Sequence, residues 1–143
     1  MGEADDPRTV RSIAVTAGDV VAAHEANRGS GPRTVLRVTP PFSGRMRARL
    51  HRIVDDEGDD EVGAVHVPPA ELLTADAPSY PHPDETEDEL RADPEVTYSR
   101  ERHRERHEAA VDEWRSLATE YIAGTVTLET PHGPHEVEVR VLG

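Results

Sequence analysis

Residues 45–51 read RMRARLH. Arg45, Arg47, Arg49 and His51 alternate with Met46, Ala48 and Leu50. A period of two sends these two sets to opposite faces of a β-strand, so one face is cationic and the other apolar. No helix separates the two sets in this way, which makes the segment a strand with one face on the core. The stretch before it obeys the same rule. In RTVLRVT, residues 33–39, Thr34, Leu36 and Val38 take one face and Arg33, Val35 and Arg37 the other. If the two strands pair through the TPPFSG connection, Arg33, Arg37, Arg45, Arg47 and Arg49 gather on one sheet face with His51 beside them. Like charges across a sheet repel, so that face calls for an anion.

Charge around this segment sharpens the point. The chain has 143 residues, a formal net charge of -13, no lysine and no cysteine. Between Ala26 and Val54 there are seven arginines and no Asp or Glu, while the remainder sets nine arginines against 29 acids. Without cysteine, disulfides and thiolate metal sites are excluded. No run approaches the ~18–20 apolar residues of a membrane span. The acidic opening MGEADDPRTV lacks the apolar core of a secretory signal, so a cytoplasmic protein with no membrane partner is expected.

The remaining pattern predicts an α+β fold: a single domain with a mostly antiparallel sheet and one long helix, in the second half of the chain, packed on one face. Residues 1–8 are polar and expected to be a flexible N-terminus, with the domain spanning 9–143. TVRSIAVT, 9–16, reads as a strand. Thr16 can cap a helix over residues 17–27 with Val20, Val21 and Ala23 or His24 inward, and RGSGP stops it. Residues 45–54 form a third strand, DDEGDDE at 55–61 a turn, and VGAVHV at 62–67 a fourth strand, with a short helix after Pro68 and Pro69. The acidic, proline-rich stretch 76–97 reads as a loop with one helical turn near Thr86–Ala92. Ser99 can cap a helix running to Ala123, with Val111, Trp114, Leu117 or Ala118, Tyr121 and Ile122 on its packed side. TVTLET and EVEVRVL close the chain as a hairpin around PHGPH.

An acidic surface without lysine stays hydrated at very high salt and repels itself in dilute buffer. In these features, and in the run RSIAVTAGDVVAAHEANRGSGPRTVLRVTPPFSGRMRARLH, the chain resembles small haloarchaeal proteins of unknown function. That resemblance implies no activity, so no catalytic residue is carried over from it.

Two accounts of the arginines follow. In one, the last strand supplies Glu136 and Glu138 as cross-strand partners, with Glu129 near by. In the other, Arg33, Arg37, Phe42, Ser43, Gly44, Arg45, Arg47, Arg49 and His51 form a binding face for nucleic acid, a nucleotide phosphate or an acidic protein. Arginine suits this role because its planar fork grips phosphate or carboxylate at two points. At 1 M salt the Debye length is about 3 Å, so such a face must act by direct hydrogen bonds. Ser43 and the Gly44 amide could seat one phosphate, and Phe42 and Tyr80 are the aromatics open to stacking. This second account, a non-catalytic binding protein without catalytic residues or cofactors, is the principal expectation.

The alternatives are a small metal-dependent or acid–base enzyme and a structural homo-oligomerising module. His103 and His107 lie one helical turn apart, a spacing that can chelate zinc, although HRERH is not the HExxH order. The continuous charge alternation of SRERHRERHE reads first as a solvated helix face, with no metal site.

Overall fold

A computed structural model describes residues 3–29, 31–53 and 63–142. The fold is α+β and divides into two compact units, residues 1–74 with 122–143, and residues 75–121.

All the described strands lie in the first unit. β1 spans Ser12–Thr16, α1 Ala17–Ala26, β2 Thr34–Val38, β3 Arg45–Arg47, β4 Arg49–Arg52 and β5 Val65–Val67; β6, Thr125–Thr130, and β7, Gly133–Leu142, end the chain. Thr16 caps α1 as its position predicts: its Oγ1 accepts the Asp19 N–H at 3.0 Å. Val20, Val21 and Ala23 form the buried side. The helix stops at Asn27, whose side-chain amide donates to Thr34 O at 2.8 Å and accepts from Thr34 N at 2.7 Å. Those two bonds fix the start of β2 against the end of α1.

The strands form two sheets rather than one. The first has the order β3-β1-β7-β6, with β1 parallel to both β3 and β7; the second is antiparallel, in the order β4-β2-β5. The uninterrupted strand expected over 45–54 is divided between them. Ala48 N donates to Ala14 O at 2.9 Å, which holds the chain to β1 up to that point; from Arg49 onward it pairs with β2. Ala48 is fully buried. A strand that changes sheets turns a corner, and the methyl of Ala48 fits inside this one. β5 lies beside β6, and one hydrophobic core draws Ile13, Val15 and Leu128 from the first sheet and Leu36, Val38 and Val67 from the second. Each such side chain contributes about 1.5–3 kcal/mol on burial.

Ahead of β1, the N-terminal stretch holds two turns of 3-10 helix, Glu3–Asp5 and Pro7–Thr9, with Pro7 buried and Asp6 capping the second; Thr9, read as the start of the first strand, belongs to the second turn. The turn expected at 55–61 falls outside the described residues. The final hairpin is tighter than expected, since β7 begins at Gly133, whose φ of 103° favours glycine.

The second unit is helical. α2 spans Pro83–Ala92 and α3 Arg100–Ala118. The stretch read as a loop therefore holds a ten-residue helix. Its capping box is built on His82: the imidazole Nδ1 accepts from Asp84 N at 3.2 Å, and Glu85 Oε1 accepts from His82 N at 3.2 Å. Ser99 caps α3, accepting from Arg102 N at 3.1 Å. The helix is shorter than predicted because residues 119–121 tighten to 3-10 form. Beyond them, in the first unit, Ile122 bridges Leu73 and Ala123 N donates to Leu72 O at 2.8 Å. Leu90, Val111, Trp114 and Ala118 are buried; of the paired alternatives Leu117 and Ala118, Leu117 is exposed.

Candidate anion-binding face

Strand register decides which arginines share a surface. In the first sheet, Ser12 of β1 aligns with Arg45 of β3 and Glu138 of β7, and Ala14 aligns with Arg47 and Arg140. Residues aligned in this way project from the same side. The side opposite the core thus carries two cross-strand rows, Arg45–Ser12–Glu138 and Arg47–Ala14–Arg140. Short side chains run along β1, and long charged ones stand on both flanks. Neighbouring strands lie about 4.8 Å apart, so the flanking residues of a row are roughly 10 Å apart at the backbone.

β1 also separates the arginines from the carboxylates weighed as their partners. β7 is not the neighbour of β3, and Glu138 pairs with Arg140 of its own strand at 3.6 Å. Glu136 aligns with Thr127 and Glu129 with Pro134. Among the described residues, no ion pair involves Arg45, Arg47, Arg49 or Arg52, whereas Arg8, Arg91, Arg106, Arg115 and Arg140 each pair with a carboxylate. The Nε of Arg47, in a half-buried side chain, is buried with no hydrogen-bond partner among the described residues.

The second sheet shows a related surface. Arg49, Arg37 and His66 align in one row across β4, β2 and β5, and His51 aligns with Val35 in the next. Arg37 Nη1 donates to His51 Nε2 at 3.4 Å, and the His51 and His66 rings lie 5.6 Å apart. The charged parity of RMRARLH holds on either side of the corner, but Arg45 and Arg47 belong to one sheet and Arg49 and His51 to the other, and Leu50, expected on the core side, is 45% exposed on the edge strand β4. Arg33 precedes β2, exposed, and its carbonyl accepts from Ile53 N at 2.8 Å.

The loop before β3 differs from the seat expected there. Phe42 is 4% exposed and belongs to the core, so it cannot stack on a base. Ser43 Oγ donates to Arg45 O at 3.0 Å, and the Gly44 carbonyl accepts from Arg11 N and Ser12 N at 2.8 and 3.0 Å. These groups hold the chain in place beside β1. Tyr80 stands in the second unit with its ring against Trp114 at 4.8 Å.

The helix histidines are not a solvated pair. Thr86 of α2, buried, donates its hydroxyl to Pro83 O at 3.0 Å. His103 Nε2 lies 3.0 Å from that hydroxyl and 3.0 Å from Pro83 O; His107 Nδ1 lies 3.1 Å from the same hydroxyl. Both imidazoles thus direct one ring nitrogen at the Thr86 hydroxyl, which ties α3 to α2. Among the described residues no group of three His, Asp or Glu is placed to hold a metal ion. No described helix is long and apolar enough to cross a membrane.

Sequence reading missed Ser12, Ala14 and Arg140 as neighbours of the arginine strand. The outward parity of Arg140 was visible, but nothing local announces that β1 lies between β3 and β7.

The family described as a domain of unknown function (DUF8009) matches residues 1–143. No curated protein and no solved structure matches the chain.

Proposed function

We propose, for a chain that belongs to the family of the domain of unknown function DUF8009, a non-catalytic role: binding a phosphate-bearing polymer on the arginine side of the first sheet. The observation that carries this reading is the row Arg47–Ala14–Arg140 beside Arg45, with neither β3 arginine ion-paired among the described residues. Same-side residues of one strand repeat every 6.5–7 Å or so, close to the separation of successive phosphates on an extended strand. Ala14, short and half-buried, leaves room for a backbone to approach between Arg47 and Arg140, whereas Ser12 is buried, and the guanidinium groups supply bidentate hydrogen bonds. With Phe42 in the core, the reading favours phosphate contacts over base stacking, which makes the binding insensitive to sequence.

The acidic, lysine-free composition supports a setting in the cytoplasm of a salt-accumulating cell. Diffuse attraction is screened there, so affinity must come from contacts within about 3 Å.

Fluorescence polarisation in molar KCl tests the reading with two labelled probes, an oligothymidylate and polyglutamate. The expected result is saturable binding of the oligothymidylate, weakened at least about tenfold in Arg45→Ala/Arg47→Ala/Arg140→Ala. Equal binding by the triple variant, or a preference for polyglutamate, would overturn it.

A further inference from the structure

The second unit contains a cavity of about 320 Å³ between α2, α3 and the segment that leads into α2. This size falls at the lower end for small-molecule sites. Part of its wall is apolar: Trp114 and Leu117 from α3, and Pro81 from the leading segment. The indole cannot swing freely. Its Nε1 donates to Pro78 O at 2.9 Å, and the Tyr80 ring meets it edge-on at 4.8 Å. The wall is therefore set before any ligand arrives.

The charged part of the lining has one sign. Glu85 and Glu89 come from α2 and Glu113 from α3, and no arginine lines the cavity. Glu85 and Glu89 are four residues apart on one helix face, where like charges destabilise. Glu85 accepts the His82 N–H, but neither Glu89 nor Glu113 has an ion pair among the described residues. His82, the other titratable group in the lining, already uses Nδ1 to accept from Asp84 N. An anion would meet three carboxylates here, and a neutral apolar ligand would leave them unanswered.

We propose that this cavity binds an aliphatic cation: an ammonium or guanidinium group on a hydrocarbon stem. The stem lies along Leu117 and Pro81, over the buried Trp114, and the charge is held among Glu85, Glu89 and Glu113. Trp114 is only 3% exposed, so the exposed Leu117 and the half-buried Pro81 supply the apolar contact while the carboxylates hold the charge. The site is independent of the arginine face, whose charge preference is opposite.

Trp114 is the chain's one tryptophan, so intrinsic fluorescence reports directly on the cavity wall. The full chain is titrated with diaminobutane, butylamine and butylguanidinium, with butanol and KCl of matched ionic strength as controls. A lysine-containing peptide with blocked termini forms a separate arm. The site requires a saturable change with the amines, absent with butanol and with KCl. Glu89→Gln/Glu113→Gln should weaken it about tenfold or more while circular dichroism stays unchanged. Tighter binding of diaminobutane assigns a free amine, and tighter binding of the peptide assigns a lysine presented by a partner; either supports the site. No saturable response to any amine or to the peptide, the same response to KCl, or unaltered affinity in the folded double variant would overturn it.

Discussion

Arg47 and Arg140 stand in one cross-strand row on either side of Ala14, while Glu138 occupies the next row and pairs with Arg140 along β7. The residue that looks like a partner for Arg47 in the sequence is therefore displaced from it by a strand and by a row. These two cations flanking Ala14 are the arrangement on which the proposed anion binding rests.

Stability measurements separate this arrangement from internal pairing. A double-mutant cycle between Arg47 and Glu138 should give no coupling beyond the ~0.3–0.5 kcal/mol expected of independent sites. A cycle between Arg140 and Glu138 should give about 0.2–1 kcal/mol, as for exposed ion pairs. Arg47→Met, which keeps an apolar stem, should leave the free protein at least as stable as the parent because it relieves repulsion. Urea melts of the single and double variants decide; strong coupling of Arg47 to Glu138 would contradict the register.

Thr86 gives a second test. Thr86→Val keeps the shape but removes the hydroxyl shared by His103 and His107. The loss should be about 1–3 kcal/mol, and Thr86→Ser should restore most of it. If the histidines were merely solvated, both substitutions would be nearly neutral. Zinc content of untagged protein, measured by mass spectrometry, should be the same for the parent and for His103→Ala/His107→Ala.

The pH dependence has a definite sign. Burial, with Arg28 near by, holds the His24 imidazole below its ordinary 6.5, against a smaller opposite effect of Glu25. The folded chain then takes up this proton less readily than the unfolded chain. Stability should be fully present above 6.5 and decline as the pH falls below it. His24→Gln should flatten the stability profile between about pH 7 and pH 5. At lower pH, Arg8 holds the Asp6 carboxyl at about 2, so the Asp6 contribution is present above 3.8 and lost as the pH falls from there toward 2. Asp6→Asn should remove that lower step alone.

Salt acts on the whole chain. With a net charge of -13, thermal midpoints should rise as KCl screens the repulsion among 29 acids. Melts in increasing KCl provide the measurement, and a midpoint indifferent to salt would remove the argument for a high-salt setting.

The elements were legible in the sequence where their causes are local. Thr16 and Ser99 announce their helices because a hydroxyl one residue before the first turn accepts an orphan N–H. The outward parity of Arg45 and Arg47 follows from strand geometry alone, and Gly133 marks a turn that needs a positive φ. α2 was less visible because its cap is a histidine and only Thr86 and Leu90 of its ten residues are buried. What only the tertiary structure decided is which strands are neighbours. Parallel pairing of β1 with β3 and β7 joins segments far apart in the chain through a register that no single segment encodes. The corner at Ala48 has the same origin: the residue is small in the sequence, but its burial between two sheets depends on packing from both. Local chemistry thus set the charge and parity of the arginine strand, and long-range packing chose Ser12, Ala14 and Arg140 as its surroundings.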